Sequence, residues 1–340
     1  MKKVVSLGEL LIRLSPPRHD RFLQARSFDL FYGGGEANWG VSMQTLGYST
    51  TYVTKVPTHE IGQASINALR ANGVNTEHIA RGGERLGVYY LENTGGSRAS
   101  KVIYDRKNSS ISQASVDEFD WDAIFDGCAL FHTSGITAAI SKNGAELALK
   151  AAEMAKKHGA LVSFDANYRS TLWSGAEAQA FAKEFMPYVD ICIANDEDIF
   201  EGLGVVPDGV DPSEDLDEVT FQRVQQAQSD AFPNVKIFAG VFNPASFGID
   251  KVWRGLLFDG THFYRSGDYQ TPIIDRVGIG DAFAAGLDCA LLDGKPMQDV
   301  INFATAALAV KHTVPGDFNL ASRSEIENAA KGSSSARIQR

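Results

Sequence analysis

The segment "CALFHTSG", residues 128–135, is a short apolar run that ends in polar residues. A helical pattern follows in "NGAELALKAAEMAKKHG", residues 143–159, and then a second apolar run with a polar tail in "ALVSFDANY", residues 160–168. An apolar strand, a helix and another apolar strand in succession are typical of a parallel sheet with helices packed on it. These residues predict an α/β fold.

The same alternation extends over most of the chain. Further apolar runs are "KVVSL" (3–7), "DICIAND" (190–196) and "NVKIFAG" (234–240), and further helical patterns cover 36–47, 60–73 and 176–185. We therefore expect a mostly parallel sheet covered by helices on both faces. Ligands bind such sheets beyond the carboxyl ends of the strands. The polar tails "HTSG", "DANYR" and "NDED" are thus expected at one crevice.

Two segments interrupt this alternation. Residues 12–32 contain two prolines and several charges, and residues 87–111 have the pattern of a β-hairpin with "TGGS", 94–97, as its turn. The two segments are predicted to form a small sheet that acts as a lid; a long surface insertion is the alternative. An exposed edge on such a sheet would allow a homodimer to form through it.

Composition excludes several classes of protein. The 340 residues are 44% hydrophobic with a formal net charge of −10, which argues against a general nucleic-acid binder. No apolar stretch approaches the length of a membrane span, and the three cysteines form no CxxC pair, so a cytoplasmic location is expected. Cys128, Cys192 and Cys289 are expected in the core. The last ten residues, 331–340, are expected to be a disordered tail.

Common catalytic motifs do not occur in the chain. It contains no GxxxxGK[ST] loop, no GxGxxG after a strand, no HExxH and no GxSxG. A P-loop enzyme, a Rossmann dehydrogenase, a zinc metalloprotease and an α/β-hydrolase therefore lack support.

The segment "DRVGIGDAFAAG", residues 275–286, combines two glycines with an aspartate just before a helical pattern that begins at Ala282. Gly278 to Gly280 would form the turn into the helix, where unpaired backbone N–H groups favour anions. Asp281 would repel a permanently bound anion, but it can accept a proton from a hydroxyl that attacks a phosphoryl group. The alternative is that Asp281 only caps the helix.

A second glycine-rich segment, "FYGGGEANWG", occupies residues 31–40. Gly33, Gly34 and Gly35 allow close approach of a ligand to the backbone. Asn38, on the first turn of the following helix, can both donate to and accept from sugar hydroxyls. A flexible turn with an N-cap is the alternative interpretation.

The motifs "GGGEAN", "NDED" and "GIGDAFAAG", in this order, resemble those of the ribokinase-like carbohydrate kinases, and the resemblance covers residues 3–315. It implies a three-layer α/β domain over residues 1–330 with a small β-sheet lid, and transfer of a phosphoryl group from ATP with Mg²⁺. It also implies roles for individual residues: Asp281 is the base, Gly278, Ile279 and Gly280 provide the anion hole, and Gly33, Gly34 and Asn38 bind sugar hydroxyls.

Within that family, "VIYDRKNSS" and "SFDANYRSTLW" are most similar to the 2-keto-3-deoxygluconate kinases. The similarity implies that Tyr104, Arg106 and Arg169 handle the substrate carboxylate and the phosphate region. A guanidinium group and a phenol suit a carboxylate, which supports this assignment. Tyr89 and Asp317 are further substrate-binding candidates.

Three features depart from the family pattern. Ile279 replaces the usual alanine of the late motif, and the Asn-x-x-Glu associated with magnesium appears as Asn195 and Asp198, with Asn167 also expected near the nucleotide. Asp198 is expected to order the metal through water. The nucleotide loop, "VFNPASFGIDKVWRG" at 241–255, lacks the usual glycine spacing.

Together these observations predict an ATP-dependent kinase for a sugar acid, with 2-keto-3-deoxygluconate as the first candidate. Two alternatives stay open: a fructokinase or ribokinase for a neutral sugar, and a non-catalytic sugar-acid sensor with the same fold.

Overall fold

A computed structural model of the protein describes residues 1–93, 98–214, 216–242 and 251–332. Its strands are β1 (Lys3–Leu7), β2 (Leu11–Ser15), β3 (Asp29–Gly33), β4 (Ser49–Val53), β5 (Lys55–Val56), β6 (Ala80–Arg81), β7 (Gly87–Glu92), β8 (Lys101–Asp105), β9 (Cys128–Ser134), β10 (Leu161–Asp165), β11 (Ile191–Ile193), β12 (Ile237–Phe242), β13 (Lys251–Phe258), β14 (Phe263–Arg265) and β15 (Tyr269–Thr271).

The main sheet has the strand order β14-β13-β12-β11-β10-β9-β1-β4, with β15 paired to β13. The strands from β12 to β4 in this order all pair in parallel, whereas β13 pairs antiparallel with β12, β14 and β15. The mostly parallel sheet predicted from the alternation of strands and helices is therefore confirmed. Strand β1 lies between β9 and β4, and its residues after Lys3 are buried because helices cover both faces of the sheet.

Helices form the two outer layers. They are α1 (Gly35–Thr45), α2 (Glu60–Ala71), α3 (Trp121–Phe125), α4 (Gly135–Ala139), α5 (Lys142–Lys157), α6 (Gly175–Phe185), α7 (Glu218–Ala231), α8 (Ile279–Leu292), α9 (Met297–Lys311) and α10 (Arg323–Ala330), with a π-helical turn at Asp198–Leu203 and 3₁₀ turns at Ile111–Gln113, Val116–Glu118 and Met186–Tyr188. Two large apolar cores result. One packs the side chains of α3, α5, α6 and α7 against the sheet, and the other packs those of α1, α8, α9 and α10. The three-layer architecture is confirmed.

A smaller four-stranded sheet has the order β3-β2-β7-β8. Strands β2 and β7 are parallel, while β3 and β8 pair antiparallel at the two edges. These strands come from the two segments that interrupt the alternation. Strand β8 is exposed along its whole length. Dimerisation through this sheet stays a prediction.

Several predictions fall on residues outside the described ranges. They are the hairpin turn at 94–97, most of the nucleotide loop, at 243–250, and most of the C-terminal tail, at 333–340. Within the described ranges, no helix has both the length and the apolar character needed to cross a membrane. The three cysteines, all of which are described, are buried and unpaired, as expected of small core residues.

Candidate active site

A cavity of about 280 Å³ lies between the small sheet and the carboxyl ends of the main-sheet strands. Its wall combines residues from the small sheet, the start of α1, the loop after β10 and the start of α8. The residues predicted for the site that line it are Gly34, Asn38, Tyr89, Tyr104, Arg106, Asn167, Arg169, Gly278, Ile279, Gly280 and Asp281. The fold thus brings together eleven residues proposed from separate stretches of sequence.

The N-terminus of α8 lies at this cavity, and the first amides of a helix have no partner within that helix. Gly278 has a left-handed backbone, with φ 79°, and the helix begins at Ile279, earlier than the predicted Ala282, because this single residue makes the turn. The N-cap of the helix is Gly278, so Asp281, which lies in the first turn, does not play the capping role considered as an alternative. A Cβ at Gly278 would lie 2.3 Å from the carbonyl oxygen of Asp317, which explains the need for glycine.

Asp281 is oriented by Asn38. The Nδ2 of Asn38 donates to Oδ2 of Asp281 at 2.7 Å, and Oδ1 of Asn38 is buried without a hydrogen-bond partner in the described parts of the chain. A Cβ at Gly35 would lie 3.3 Å from Oδ1 of Asp281, so a larger residue there would crowd the carboxylate. Burial raises the pKa of Asp281 to about 7, against the lowering effect of the Asn38 hydrogen bond.

Arg106 and Glu9 form a pair on the small-sheet side of the cavity. The Nε of Arg106 donates to Oε2 of Glu9 at 2.7 Å, and its Nη2 contacts the same oxygen. Oε1 of Glu9 has no partner among the described residues. Arg106 also lies over the ring of Tyr104, 5.6 Å from its centroid. The sequence reasoning missed Glu9, although a glutamate inside the apolar run "LGELLIRL" was the available signal.

Two more arginines line the cavity. Arg169 is exposed and donates from Nη1 to the carbonyl of Tyr168 at 3.1 Å. Arg276 is exposed and lies two residues before Gly278. Sequence reasoning also missed Arg276, whose signal was its place within the "DRVGIGD" motif. The cavity wall therefore carries three guanidinium groups, one of which is paired with Glu9.

The ends of β10 and β11 carry a second group of polar residues. Asn167 has φ 38°, unusual for a residue with a side chain, and its Nδ2 donates to buried Asp165 at 3.0 Å. Asp198 accepts the backbone N–H of Tyr168 at 2.6 Å and that of Asn195 at 2.9 Å, so it joins the two strand ends. Asn195 and Asp198 lie outside the cavity wall. Their nucleotide and metal roles stay predictions.

Gly33 and Asp317 also lie outside the cavity wall. Asp317 is buried, pairs with Arg13 at 3.1 Å, and accepts the hydroxyl hydrogen of Tyr89. A Cβ at Gly33 would lie 2.3 Å from Oδ1 of Asp317, so this glycine makes room for the carboxylate. In this structure both residues lie next to each other outside the cavity wall, and direct contact with substrate stays a prediction.

Comparison with known proteins shows the family and the fold of the chain. Residues 1–224 match the pfkB family carbohydrate kinase model. The chain is 30% identical over 331 residues to a 2-dehydro-3-deoxygalactonokinase of Haloferax volcanii, covering 97% of each protein. The crystal structure of 2-dehydro-3-deoxygluconokinase from Thermotoga maritima is similar with a TM-score of 0.93 at 40% identity, covering 98% of this chain and 100% of that one. A putative ribokinase II from E. coli, at 19% identity and a TM-score of 0.79 over 98% of this chain and 100% of that one, shares the fold.

Proposed function

The chain belongs to the pfkB family of carbohydrate kinases, and we propose that it transfers the γ-phosphoryl group of ATP to a hydroxyl of a sugar acid, with 2-keto-3-deoxygluconate as the first candidate. The names of the Haloferax and Thermotoga relatives support this substrate class. The two names differ in the sugar, so 2-keto-3-deoxygalactonate is the second candidate acid.

One arrangement carries the proposal: Asp281, with its pKa raised to about 7, lies in the first turn of a helix whose start lines the cavity. A base for a hydroxyl works best when its pKa is near the working pH. The amides at the helix start are positioned for a negative charge. A base and an anion site within one helical turn suit phosphoryl transfer to an alcohol.

Each residue of the site has its own role in the proposed reaction. Asn38 holds Oδ2 of Asp281, which leaves Oδ1 to accept the proton of the attacking hydroxyl. Asn38 also lines the cavity, where it can contact a second hydroxyl of the sugar. The amides of Gly278, Ile279 and Gly280 stabilise the negative charge on the phosphoryl oxygens, and Arg169 lies on the same wall to assist them. Closure of the small sheet would exclude water.

The structure carries features that fit ATP and Mg²⁺. The amides at the α8 N-terminus suit a phosphate group. Within the described ranges, no three His, Cys, Asp or Glu side chains are grouped to hold a metal directly. A magnesium ion would therefore be held by the nucleotide phosphates and by water that Asp198 and Asn195 help to order. When bound, Mg²⁺ neutralises charge on the transferring phosphates.

The pairing of Arg106 with Glu9 favours a second candidate, a kinase for a neutral sugar such as fructose or ribose. Glu9 offsets the charge of one guanidinium and would repel a carboxylate placed next to it. Arg169 and Arg276 still make the wall attractive to an acid, because no ion pair to either is found among the described residues. The sugar acid is therefore the first candidate.

The experiment that tests the proposed function is release of ADP from ATP and Mg²⁺ by the purified protein. The panel contains 2-keto-3-deoxygluconate, 2-keto-3-deoxygalactonate, gluconate, fructose and ribose. The highest kcat/KM is expected for a keto-deoxy acid. Faster turnover of fructose or ribose would replace the first candidate with the second. No release with any sugar, together with calorimetric binding of a sugar acid, would instead indicate a non-catalytic sensor.

Arg169→Gln is expected to raise KM for the sugar acid by about 10- to 100-fold, because a hydrogen bond between charged groups contributes about 1.5–3 kcal/mol. KM for fructose, measured in parallel, should change far less. Arg223→Gln is the matched control, since Arg223 is also exposed and also donates to one backbone carbonyl, that of Asp208, outside the cavity. Equal increases for acid and neutral sugar would argue against a carboxylate contact at Arg169.

The fall in kcat/KM at acidic pH should reflect protonation of Asp281. Because burial raises its pKa to about 7, kcat/KM is expected to fall about tenfold per pH unit below that value as the base becomes protonated. Protonation of Asp281 lowers activity without unfolding the protein. This follows because a carboxyl whose pKa is higher in the folded than in the unfolded state makes the folded state more stable as pH falls from about 7 towards 4. A kcat/KM that stays flat from pH 8 to pH 5 would exclude Asp281 as a base of this pKa.

A further inference from the structure

Four buried charged side chains lie behind the anion hole. They are Arg13, Asp275, Lys311 and Asp317, each no more than 4% exposed, and none lines the cavity. Nη2 of Arg13 lies 2.8 Å from Asp275, and its Nη1 lies 3.1 Å from Asp317. The two positive charges and the two negative charges sum to a net charge of zero. Arg13 accounts for contacts to both carboxylates, which leaves the role of Lys311 to be explained.

Lys311 is the last residue of α9 and is completely buried. Its Nζ donates to the backbone carbonyls of Val314 and Gly316, each at 2.9 Å. Burial lowers its pKa, while the charges of Asp275 and Asp317 raise it. A buried ammonium is unfavourable unless its protons are well bonded. Here the two hydrogen bonds of the Lys311 ammonium hold the turn that follows α9.

That turn is tied to the segment that carries the anion hole. Asp275 accepts the N–H of Gly316 at 3.0 Å with one carboxylate oxygen and that of Val277 at 3.1 Å with the other. The N–H groups of Ile274 and Asp275 donate to the carbonyl of His312. The segments 274–278 and 312–317 therefore form one hydrogen-bonded unit.

Gly278 packs directly on this unit. A Cβ at Gly278 would lie 2.3 Å from the carbonyl oxygen of Asp317 and 3.3 Å from Cε of Lys311. The left-handed turn that starts α8 thus lies against the backbone of 312–317 and the lysine stem. Any shift of that backbone would move the amides at the helix start.

We propose that Lys311 is a positioning residue for phosphoryl transfer: its ammonium, bonded to the carbonyls of Val314 and Gly316, fixes segment 312–317 as the support on which Gly278 and the anion-hole amides are placed. Lys311 touches no substrate and acts through this backbone. The inference rests on the proposed function, since it assigns a role in the same reaction.

The test compares Lys311→Met, which keeps the length of the side chain without its charge, with Lys311→Ala, which leaves a space for an added amine. In Lys311→Met, kcat is expected to fall on the order of 100-fold, the loss typical of a misplaced catalytic group, while KM for ATP and sugar stays near wild type. Amide hydrogen exchange in segment 274–280 should become faster in both variants. Ethylammonium or propylammonium chloride should restore part of kcat to Lys311→Ala, whereas tetramethylammonium chloride, which cannot donate hydrogen bonds, should not.

Ile301→Ala is the matched control, because Ile301 is equally buried on α9 but lies two to three turns away from the segment. It should lower Tm without altering exchange in 274–280 or the response to amines.

A folded Lys311→Met with wild-type kcat and exchange would overturn the proposal. A low kcat in Lys311→Ala that no primary amine restores would assign the loss to side-chain bulk and overturn the role of the charge. If the wild-type protein phosphorylates no sugar, the proposed function fails, while the exchange comparison, which needs no turnover, still decides whether Lys311 fixes the segment.

Discussion

Replacement of Asp281 by asparagine is expected to lower kcat by about 10²- to 10⁴-fold, the range over which a general base contributes to catalysis. The amide keeps the size of the carboxylate but cannot accept the proton of the attacking hydroxyl. KM for the sugar should change less, since the other polar groups of the wall remain. Steady-state ADP release with a keto-deoxy acid, after circular dichroism has shown that the variant is folded, measures this loss.

Asp288→Asn is the matched control for this variant. Asp288 lies two turns further along α8 and is fully buried, but it accepts a hydrogen bond from Nε1 of Trp39 at 2.9 Å and does not reach the cavity. The same chemical change at this position is expected to alter stability, while kcat should remain close to wild type. Comparable losses at both positions would mean that α8 tolerates no such change, and the assignment of Asp281 as the base would lose its support.

The second large effect is expected for Gly278→Ala, which should lower kcat by about 10²- to 10³-fold, as loss of an oxyanion-hole donor does. A methyl group at this position would lie 2.3 Å from the carbonyl oxygen of Asp317, closer than real contacts allow. Either the start of α8 or the segment around Asp317 must move, and the amides then no longer face the phosphoryl group. Pre-steady-state measurement of phosphoryl transfer would show the loss in the chemical step.

Gly294→Ala separates this clash from the cost of the backbone conformation. Gly294 follows the other end of α8 with φ 72°, close to the 79° of Gly278, and a Cβ there would meet no atom within 4 Å. Both variants should lose about 1–2 kcal/mol of stability because alanine disfavours the left-handed region, and Gly278→Ala should lose more because of its clash with Asp317. Only Gly278→Ala should also lose activity. If the two variants had equal kcat, the anion hole would not depend on the position of Gly278.

The sequence alone determined the architecture and most of the cavity wall. Alternating apolar runs and helical patterns require a parallel sheet with covered faces, since no other arrangement buries both. The glycines of 275–286 and 31–40 fix tight turns at the starts of α8 and α1, and local backbone chemistry is readable from sequence because it depends on neighbours in the chain. Eleven of the predicted site residues accordingly line one cavity.

Only the tertiary structure decided which charges meet. Arg106 pairs with Glu9, 97 residues away, and Arg13 pairs with Asp275, 262 residues away. Asp317, predicted from sequence to contact substrate, joins Arg13 behind the cavity, where Lys311 also lies buried. Sequence spacing places a charge on a strand or a turn, but its partner depends on which distant segments the fold packs together and on how deeply the pair is buried. That packing also sets which backbone segment Gly278 lies against.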